Sequence, residues 1–339
     1  MTEYNVDEIS GNIFIDGIMR RGTLRRDGDI LVFTSDIKAS SKLMGTIVPM
    51  AFNAHVHMGD SFISGEPPIN LMEAVGPGGF KHRKLESTSD REIMEGMVRS
   101  ASLMEETGTT GFCDFREGGL HGTEIALSFE TKLQRYILGR PLNPDEVKPI
   151  LMKADGISMS SVVDNDIEIL YSSAEECHRT GKIFGIHFSE AQREDIEIIE
   201  TLKPNFLVHC LKCTGQDLKR LSDLKIPVVI TPRSNYFFSL NPNYRKFIDA
   251  GIDLMLGTDN AMTVDPDMYA EMQFLYLTRQ ISGKDPASAI MHMGCESWRQ
   301  VFKRKNKKTD EFLFVKSQML SPFDIIMHRS RYNFSRLTI

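Results

Sequence analysis

The feature that most constrains the fold is the stretch at residues 46–60, TIVPMAFNAHVHMGD, in which an apolar run ends in two histidines. Alternate residues of a β-strand share one face, so a strand here would point His55 and His57 the same way. Two imidazoles on one face can supply half of a metal site, or they can be two hydrogen-bonded histidines in a turn. The metal interpretation therefore requires further ligands at the ends of later strands.

Strand-like segments alternate with helical ones over most of the 339-residue chain. The clearest helix follows Ser89-Asp90, a typical N-terminal cap, and runs to about Glu106. Such alternation indicates a parallel sheet, and eight strands indicate closure into a (β/α)₈ barrel of the TIM type. The weakest of the eight predicted strands is 155–161. The strands predicted after the His-x-His strand are 109–115, 134–138, 155–161, 183–188, 206–210, 227–230 and 253–257.

Both ends of the chain carry short β-like runs that do not belong to this alternation. Runs 12–16 and 30–33 are separated by Arg26-Asp27-Gly28-Asp29, and Asp-Gly between such runs is a hairpin signal. Runs 311–315 and 324–328 follow the last predicted helices. We expect residues 1–46 and 309–339 to form a small composite β-domain resembling a sandwich. Residues 47–308 would then form the barrel.

Composition and charge exclude several classes of protein. A net charge of −6 argues against a nucleic-acid partner, and the basic run 303–308 is interpreted as a solvated turn. No apolar segment is long enough to span a bilayer, and the acidic N-terminus lacks the features of a secretory leader. Five scattered cysteines do not suggest disulfides. We expect a cytoplasmic protein with a small-molecule substrate, no nucleic-acid or membrane partner, and homo-oligomerisation left open.

Side chains that can bind a metal end three of the later predicted strands. His187 ends IFGIHF, His209 lies near the end of FLVHC, and Asp259 ends LMLGTD. The catalytic groups of a barrel come from the carboxyl ends of its strands, so these side chains would meet His55 and His57 at one rim. Imidazole and carboxylate ligands suit Zn²⁺, and they also accommodate Fe²⁺ or Mn²⁺.

These motifs resemble those of the amidohydrolase superfamily, in its cytosine-deaminase- and chlorohydrolase-like branch. The matching pieces are VPMAFNAHVH, IHFSE, VHC, TPRSN and LGTDNA. The resemblance implies one divalent metal, with zinc the first expectation, held by His55, His57, His187 and Asp259. The chain departs from the branch in its short loops and in the stretch HMGDSFISGEPP, which leaves the substrate open.

The same resemblance implies the catalytic roles. Glu190 would move protons to the substrate and leaving group, and His209 would orient the water bound to the metal. Asp259 would accept that water's proton as well as bind the metal. The expected activity is hydrolysis of a non-peptide C–N bond by a metal-bound hydroxide. The substrate would be an amino-substituted heterocycle such as a purine, a pyrimidine or a pterin.

Polar residues in the loops that should face the rim are candidates for substrate binding. Each of them is equally compatible with a tie to a backbone carbonyl inside its own loop. Three positive groups on neighbouring loops, Lys81, Arg116 and Arg140, suggest an anionic substrate. The substrate-binding candidates are His82, Arg116, Arg140, Arg233 and Asn235, and Asp60, Glu117 and Asp155 lie in the same set of loops.

Two other interpretations stay open. A binuclear cyclic amidase, or another C–N or C–Cl hydrolase, would hold a second metal through a carboxylated lysine. Lys153 lies close to the expected position, although a surface lysine is the simpler interpretation. A catalytically inactive barrel used as a binding protein would be expected to lack a ligand or the proton shuttle, and none of these residues is missing here.

Overall fold

The computed structural model describes residues 2–28, 30–37, 44–303 and 310–339. Its strands form a seven-stranded sheet built from both chain ends and a sheet of nine parallel segments between them. In chain order the strands are β1 (Glu3–Asn5), β2 (Glu8–Ile15), β3 (Ile18–Asp27), β4 (Ile30–Thr34), β5 (Met44–Pro49), β6 (Ala51–His57), β7 (Thr109–Arg116), β8 (Gln134–Gly139), β9 (Gly156–Met159), β10 (Ile183–Phe188), β11 (Phe206–His209), β12 (Val228–Ile230), β13 (Leu254–Leu256), β14 (Asp259–Asn260), β15 (Glu311–Lys316) and β16 (Ser335–Thr338).

Helices connect the strands of the parallel sheet and cover its outer face. Within the described ranges, none of them has the length and apolar character needed to cross a membrane. In chain order the α-helices are α1 (Leu71–Val75), α2 (Phe80–Glu86), α3 (Asp90–Glu106), α4 (Gly119–Ser128), α5 (Val147–Lys153), α6 (Ile167–Thr180), α7 (Ile196–Leu202), α8 (Gly215–Asp223), α9 (Pro232–Phe237), α10 (Arg245–Ala250), α11 (Met268–Leu277), α12 (Pro286–Cys295) and α13 (Pro322–Met327).

The parallel sheet closes into a barrel of eight strands. Strands β6 to β13 each pair with the next, and β14 returns to pair with β6. Only Gly257 and Thr258 separate β13 from β14, so the two segments are the halves of one eighth strand. The Gly257 amide donates to Ile230 and the Thr258 amide donates to His55, which keeps the closure continuous. The predicted (β/α)₈ barrel is confirmed, including the weakest predicted strand, which is β9.

An irregularity in β6 decides which of its side chains face the interior. Phe52 and Ala54 pack inside the barrel, yet the ring of the next residue, His55, also contacts Phe115, at a centroid distance of 4.5 Å. Asn53 pairs with Phe112 of β7 and Val56 pairs with Asp114, so a step of three residues on β6 matches a step of two on β7. This extra residue is a β-bulge, which moves the inward positions from even to odd numbers. Both histidines of the His-x-His motif therefore point inward.

The second sheet combines both chain ends in the order β1-β16-β15-β5-β2-β3-β4, as expected for a composite β-unit. Its longest strand, β3, was not recognised in the sequence because its arginines hide the apolar alternation. The turn at Asp27-Gly28 joins β3 to β4 rather than joining the two predicted runs directly. The chain passes from this sheet to the barrel at Met50, and the division into two domains stays a prediction.

Three further sequence expectations differ from the structure or lie outside it. Run 324–328 is not β-structure but part of α13, because Ser321 and Asp324 form a capping box and Pro322 occupies the first turn. The stretch HMGDSFISGEPP is followed by α1 and α2, two short helices that the alternation of strands and helices did not predict. The basic run 303–308 lies outside the described residues except for Lys303.

Candidate metal centre and active site

Four buried side chains from three strands meet at the carboxyl end of the barrel, with one ligand atom of each within 4.8 Å of the others. The Nε2 atom of His187 lies 3.2 Å from Nε2 of His55 and 3.3 Å from Nε2 of His57. The Oδ1 atom of Asp259 lies 3.3 Å from Nε2 of His55 and 3.5 Å from Nε2 of His57. The four predicted metal ligands are thus brought together around one point.

Hydrogen bonds on the outer side of the His57 and His187 rings determine which ring nitrogen is unprotonated and directs its lone pair to the common point. The Nδ1 atom of His57 lies 3.0 Å from the carbonyl oxygen of Phe115, and Nδ1 of His187 lies 3.0 Å from that of Met159. A carbonyl oxygen only accepts, so in the neutral rings Nδ1 carries the proton and Nε2 does not. Two unprotonated nitrogens 3.3 Å apart repel each other unless a cation lies between them.

The spacing of these atoms fits a divalent metal. Ligands about 2.1 Å from a tetrahedral zinc ion are about 3.4 Å from one another, close to the separations observed here. Burial also lowers the pKa of the imidazoles of this cluster, to about 4 for His57 and in the same direction for His55 and His187. They are therefore neutral at physiological pH, which is the form that binds a metal.

His209 differs from the other three histidines in its protonation pattern. Its Nδ1 accepts from the Asn235 side-chain amide at 3.2 Å and lies 3.3 Å from the Thr231 hydroxyl. The Tyr244 hydroxyl in turn holds the Asn235 carbonyl oxygen at 2.9 Å. Since an amide nitrogen only donates, the proton of the His209 ring is on Nε2. His209 therefore presents a donor to the cluster rather than a lone pair.

Glu190 lies beside this donor, with Oε1 3.4 Å from Nε2 of His209. Glu190, His209 and Asp259 form a second group of side chains whose ligand atoms are within 4.8 Å of one another. Burial, and after it the charge of Asp259, raise the pKa of the Glu190 carboxyl well above its ordinary value. A carboxyl that holds its proton at a higher pH than an ordinary glutamate is suited to donate it to a substrate.

The backbone at three of these strand ends is held in the left-handed region. The φ angle is 49° at Ser189, 72° at His209 and 65° at Asp259. Non-glycine residues in this region cost on the order of 1–2 kcal/mol each, and such strain concentrates at functional sites. Asp259 is fixed further by the Ser234 hydroxyl, which donates to Oδ2 at 2.6 Å.

A cavity of about 330 Å³ opens above the cluster, within the size range of pockets that bind small molecules. Its base is formed by His57, His187, Glu190, His209 and Asp259. The wall is part apolar and part polar. The wall includes Met72 and Val75 of α1, Lys81 of α2, Arg140, Ser160, Ser161 and Asn260.

The five predicted substrate-binding residues separate in the structure, and only Arg140 lines the cavity. Its Nε is buried and has no hydrogen-bond partner in the described part of the chain. Arg116 instead donates to the Gly122 carbonyl oxygen at 2.9 Å, and Arg233 donates to Glu271. Asn235 holds His209, and His82 lies on α2 away from the cavity wall. Arg116 and Arg233 are thus bound to other groups of the protein, as the alternative interpretation of the loop arginines expects.

Lys153 and Asp155 lie away from the cluster, so their positions do not support a role in metal or substrate binding. Lys153 lies on the outside of the barrel, with its side chain 49% exposed and its Nζ 3.2 Å from Glu124. It is remote from the histidine cluster and does not bridge two metals there, so that form of the binuclear interpretation is wrong. Asp155 accepts from the Ile137 amide at the start of β9, at the other end of the barrel.

Lys81 and Glu117 contribute more to the site than their sequence context suggested. The Oε1 atom of Glu117 lies 2.7 Å from Nδ1 of His57 and 2.6 Å from Nζ of Lys81. Lys81 also donates to the side-chain oxygen of Asn260 at 3.1 Å. The available signal was the position of Glu117 directly after β7, at the end of the barrel where functional groups collect. No pattern marks a lysine on a helix as short as α2.

Comparisons with known proteins give the family of the chain. No family model matches it. A putative aminohydrolase of Methanothermobacter thermautotrophicus is 34% identical over 296 residues, which cover 77% of this chain and 76% of the relative. A putative aminohydrolase of Archaeoglobus fulgidus is 34% identical over 229 residues, covering 67% and 68% respectively.

Solved structures share the fold. Aminofutalosine deaminase of Helicobacter pylori superposes with a TM-score of 0.75 at 11% identity, covering 97% of each chain. Guanine deaminase from C. acetobutylicum with bound guanine gives 0.72 at 14% identity, covering 91% of this chain and 90% of the other. An adenosine deaminase from Xanthomonas campestris with bound zinc gives 0.73 at 11%, covering 96% and 89%. The chain thus belongs to the amidohydrolase superfamily, among its aminohydrolases, which are enzymes that hydrolyse carbon–nitrogen bonds.

Proposed function

We propose that this aminohydrolase is a zinc-dependent deaminase that removes ammonia from an amino-substituted heterocycle. The observation that carries the proposal is the pairing of two kinds of group at the base of one cavity. His57 and His187 present lone pairs to a common point, and Glu190 and His209 present proton donors beside it. The fold shared with guanine, adenosine and aminofutalosine deaminases supports the same chemistry.

The proposal assigns one metal ion to His55, His57, His187 and Asp259. Zinc is supported by the nitrogen-rich ligand set and by the zinc bound in the Xanthomonas neighbour, while Fe²⁺ and Mn²⁺ remain alternatives that metal analysis would distinguish. When bound, the metal supplies a water that is activated at neutral pH.

The side chains of the chain then carry the proton transfers. The protonated Glu190 carboxyl donates its proton to a ring nitrogen of the substrate. The attacking water gives up two protons: Glu190 passes one of them to the departing ammonia, and the other restores the Glu190 carboxyl. His209, with its proton held on Nε2, donates to the oxygen that develops negative charge. Asp259 keeps Oδ1 for the metal and the attacking water because Ser234 occupies Oδ2.

The cavity wall supports a substrate with an anionic substituent. The Nε atom of Arg140 has no hydrogen-bond partner among the described residues, and its guanidinium lies on the same wall as Ser160 and Ser161. A guanidinium binds carboxylate and phosphate groups through paired hydrogen bonds. The apolar residues of the wall, Met72 and Val75 among them, would contact the faces of the ring.

The proposal includes a cytoplasmic location, which the state of the cysteines supports. All five cysteines are free thiols in the structure. Free buried thiols are typical of reducing compartments, which supports a cytoplasmic enzyme acting on a small metabolite.

The test is ammonia release by the zinc-loaded protein from a panel of aminated purines, pyrimidines, pterins and their nucleosides. We expect turnover of at least one ring class. The variant Glu190→Gln should fold, bind one zinc and lose about 10²- to 10⁴-fold in kcat because it cannot transfer a proton. Full activity of that variant, or a zinc-loaded wild type inactive on the whole panel, would contradict the proposal.

The anionic substituent is tested with matched substrates, such as adenosine, its 5′-carboxylate and its 5′-monophosphate if purines are accepted. We expect the anionic members to have the lower KM. The variant Arg140→Met should raise KM for those members by roughly tenfold or more, the equivalent of one lost charge-assisted hydrogen bond, and change KM for the neutral member little. A wild type that prefers the neutral member rejects the anionic class and leaves the deaminase assignment standing.

A further inference from the structure

We propose that Lys81 and Glu117 form a buried positioning pair that sets the metal affinity of His57. This inference rests on the proposed role of His57 as a metal ligand. Both side chains are almost fully buried, with 4% of Lys81 and 5% of Glu117 exposed. Burying two charges costs free energy, and apolar residues of similar volume are often at least as stable. The buried pair therefore points to a role other than stability.

The surroundings of the three ligand imidazoles are unequal. Nδ1 of His187 faces only a backbone carbonyl, and Nδ1 of His55 has no hydrogen-bond partner in the described structure. Nδ1 of His57 faces both the Phe115 carbonyl, at 3.0 Å, and the Glu117 carboxylate, at 2.7 Å. His57 is therefore the ligand with a negative charge directly behind its ring.

The Phe115 carbonyl is sufficient to keep the proton on Nδ1, so Glu117 has a different effect. A carboxylate behind a metal-binding imidazole increases the electron density that the ring offers to the metal and orients the ring. Lys81 opposes this effect because its ammonium holds the same oxygen, Oε1, at 2.6 Å. The strength of His57 as a metal ligand thus depends on the balance between the Glu117 carboxylate and the Lys81 ammonium.

Lys81 also links this balance to the cavity. It lies on α2, its side chain lines the cavity wall, and it bonds to Asn260, the neighbour of Asp259. An ammonium has three N–H groups, and Glu117 and Asn260 accept two of them. Among the described residues no third acceptor is present, so this N–H is available to a group bound in the cavity, and a ligand there would contact the residue that moderates Glu117.

The test is the zinc affinity of the purified protein, measured by competition with a chromophoric chelator, together with the visible absorption of the Co²⁺-loaded form. Glu117→Gln leaves the ammonium unopposed, and we expect a roughly 10- to 100-fold loss of affinity and a shifted Co²⁺ spectrum. Lys81→Met leaves the carboxylate unopposed and should raise the affinity. The double variant should recover most of the loss seen in Glu117→Gln, since the two charges act against each other.

A matched control is the exposed pair of Lys153 and Glu124, which is 3.2 Å apart on the outside of the barrel. The variants Glu124→Gln and Lys153→Met make the same charge changes there and should leave zinc affinity and the Co²⁺ spectrum unchanged. An effect of equal size in this pair would show that net charge, rather than the buried pair, controls the affinity.

Wild-type affinity and an unchanged Co²⁺ spectrum in Glu117→Gln would overturn the inference. If that variant does not fold, Glu117→Asp replaces it, because the shorter side chain keeps the charge but withdraws it from Nδ1, and it should still lose affinity. A wild-type protein that binds no zinc, Fe²⁺ or Mn²⁺ overturns the inference together with the metal assignment. Zinc binding without deaminase activity leaves the inference intact and rejects only the proposed reaction.

Discussion

The two ends of the barrel interior are filled by opposite means. At the amino end, aromatic rings fill the space: Phe52 stacks on Trp298 at 4.5 Å, and Phe302 packs 5.1 Å from both Phe52 and Tyr136. At the carboxyl end, imidazoles and carboxylates fill it, and further polar groups hold several of them: Asn235 holds His209, Ser234 holds Asp259 and Glu117 holds His57. One end is filled by apolar packing, whereas the other brings together lone pairs that suit a cation.

This difference implies that stability and chemistry are separable in the molecule. The aromatic end should contribute to folding whether or not a metal is bound. The polar end should contribute little to folding without a metal, because buried unprotonated nitrogens repel one another. Substitutions at each end therefore test whether the separation is real.

The largest effect is expected from His187→Ala, which removes one ligand at the polar end. Zinc content and activity should both fall, with kcat reduced by at least about 10³-fold. The metal-free variant should unfold at the same temperature as the metal-free wild type or above it, since one source of repulsion is gone. Calorimetry with and without zinc measures both, and a metal-free variant that is much less stable would show that the polar end also supports the fold.

A smaller effect, on stability alone, is expected from Trp298→Ala at the aromatic end. Truncating a buried aromatic residue costs about 3–5 kcal/mol. Zinc affinity at a temperature where the variant is folded should equal that of the wild type. Trp298→Phe, which keeps a ring against Phe52, is the control and should lose less stability. A tenfold drop in zinc affinity in the alanine variant would show that the two ends are coupled.

The smallest effect is expected at the outer edge of the polar end, where Arg193 donates two hydrogen bonds of 2.8 Å to Asp217. These bonds are opposed by burial and supported by hydrogen bonds from Thr214, and together they lower the pKa of Asp217 to about 2. The folded-state pKa is below the unfolded value of about 3.9, so the stabilisation is present above pH 4 and is lost as pH falls towards 2. Arg193→Met should lower the stability only slightly at pH 7, since solvent screens the half-exposed Arg193 side chain, and should lower it much less near pH 2. Urea denaturation at both pH values measures the difference, and an equal loss at both would exclude a charge effect.

The barrel and the grouping of its ligands were predictable because both depend on short-range patterns. Apolar runs of strand length identify the strands, and a histidine or aspartate at the end of such a run stands out. Parallel strands bring their carboxyl ends to one edge, so His55, His187 and Asp259 were expected to meet although they are far apart in the chain. Their roles, and the domain division, stay predictions.

The remaining parts depend on contacts that no local pattern encodes. Helix α1 has five residues, too few for a helical repeat, and only the cap by Asn70 marks its start. The arginines of loops look alike in the sequence, whereas in the structure Arg140 faces a cavity and Arg233 is tied to Glu271. Lys81 gained its role because α2 carries it to Glu117, which follows a different strand.

The bulge in β6 sets a condition on the length of that strand rather than on its composition. Phe52 and His55 are three residues apart, and the extra residue of the bulge is what lets both side chains face the interior. Regular pairing of the same residues would turn His55 and His57 towards α3 and bring Val56 inward, while Phe52 kept its place against Trp298. Such a chain would have every ligand in its sequence, yet two of them would be out of reach of a metal. Deleting Ala54 would instead remove the extra residue and place His55 in its inward position, so a strand one residue shorter would need no bulge.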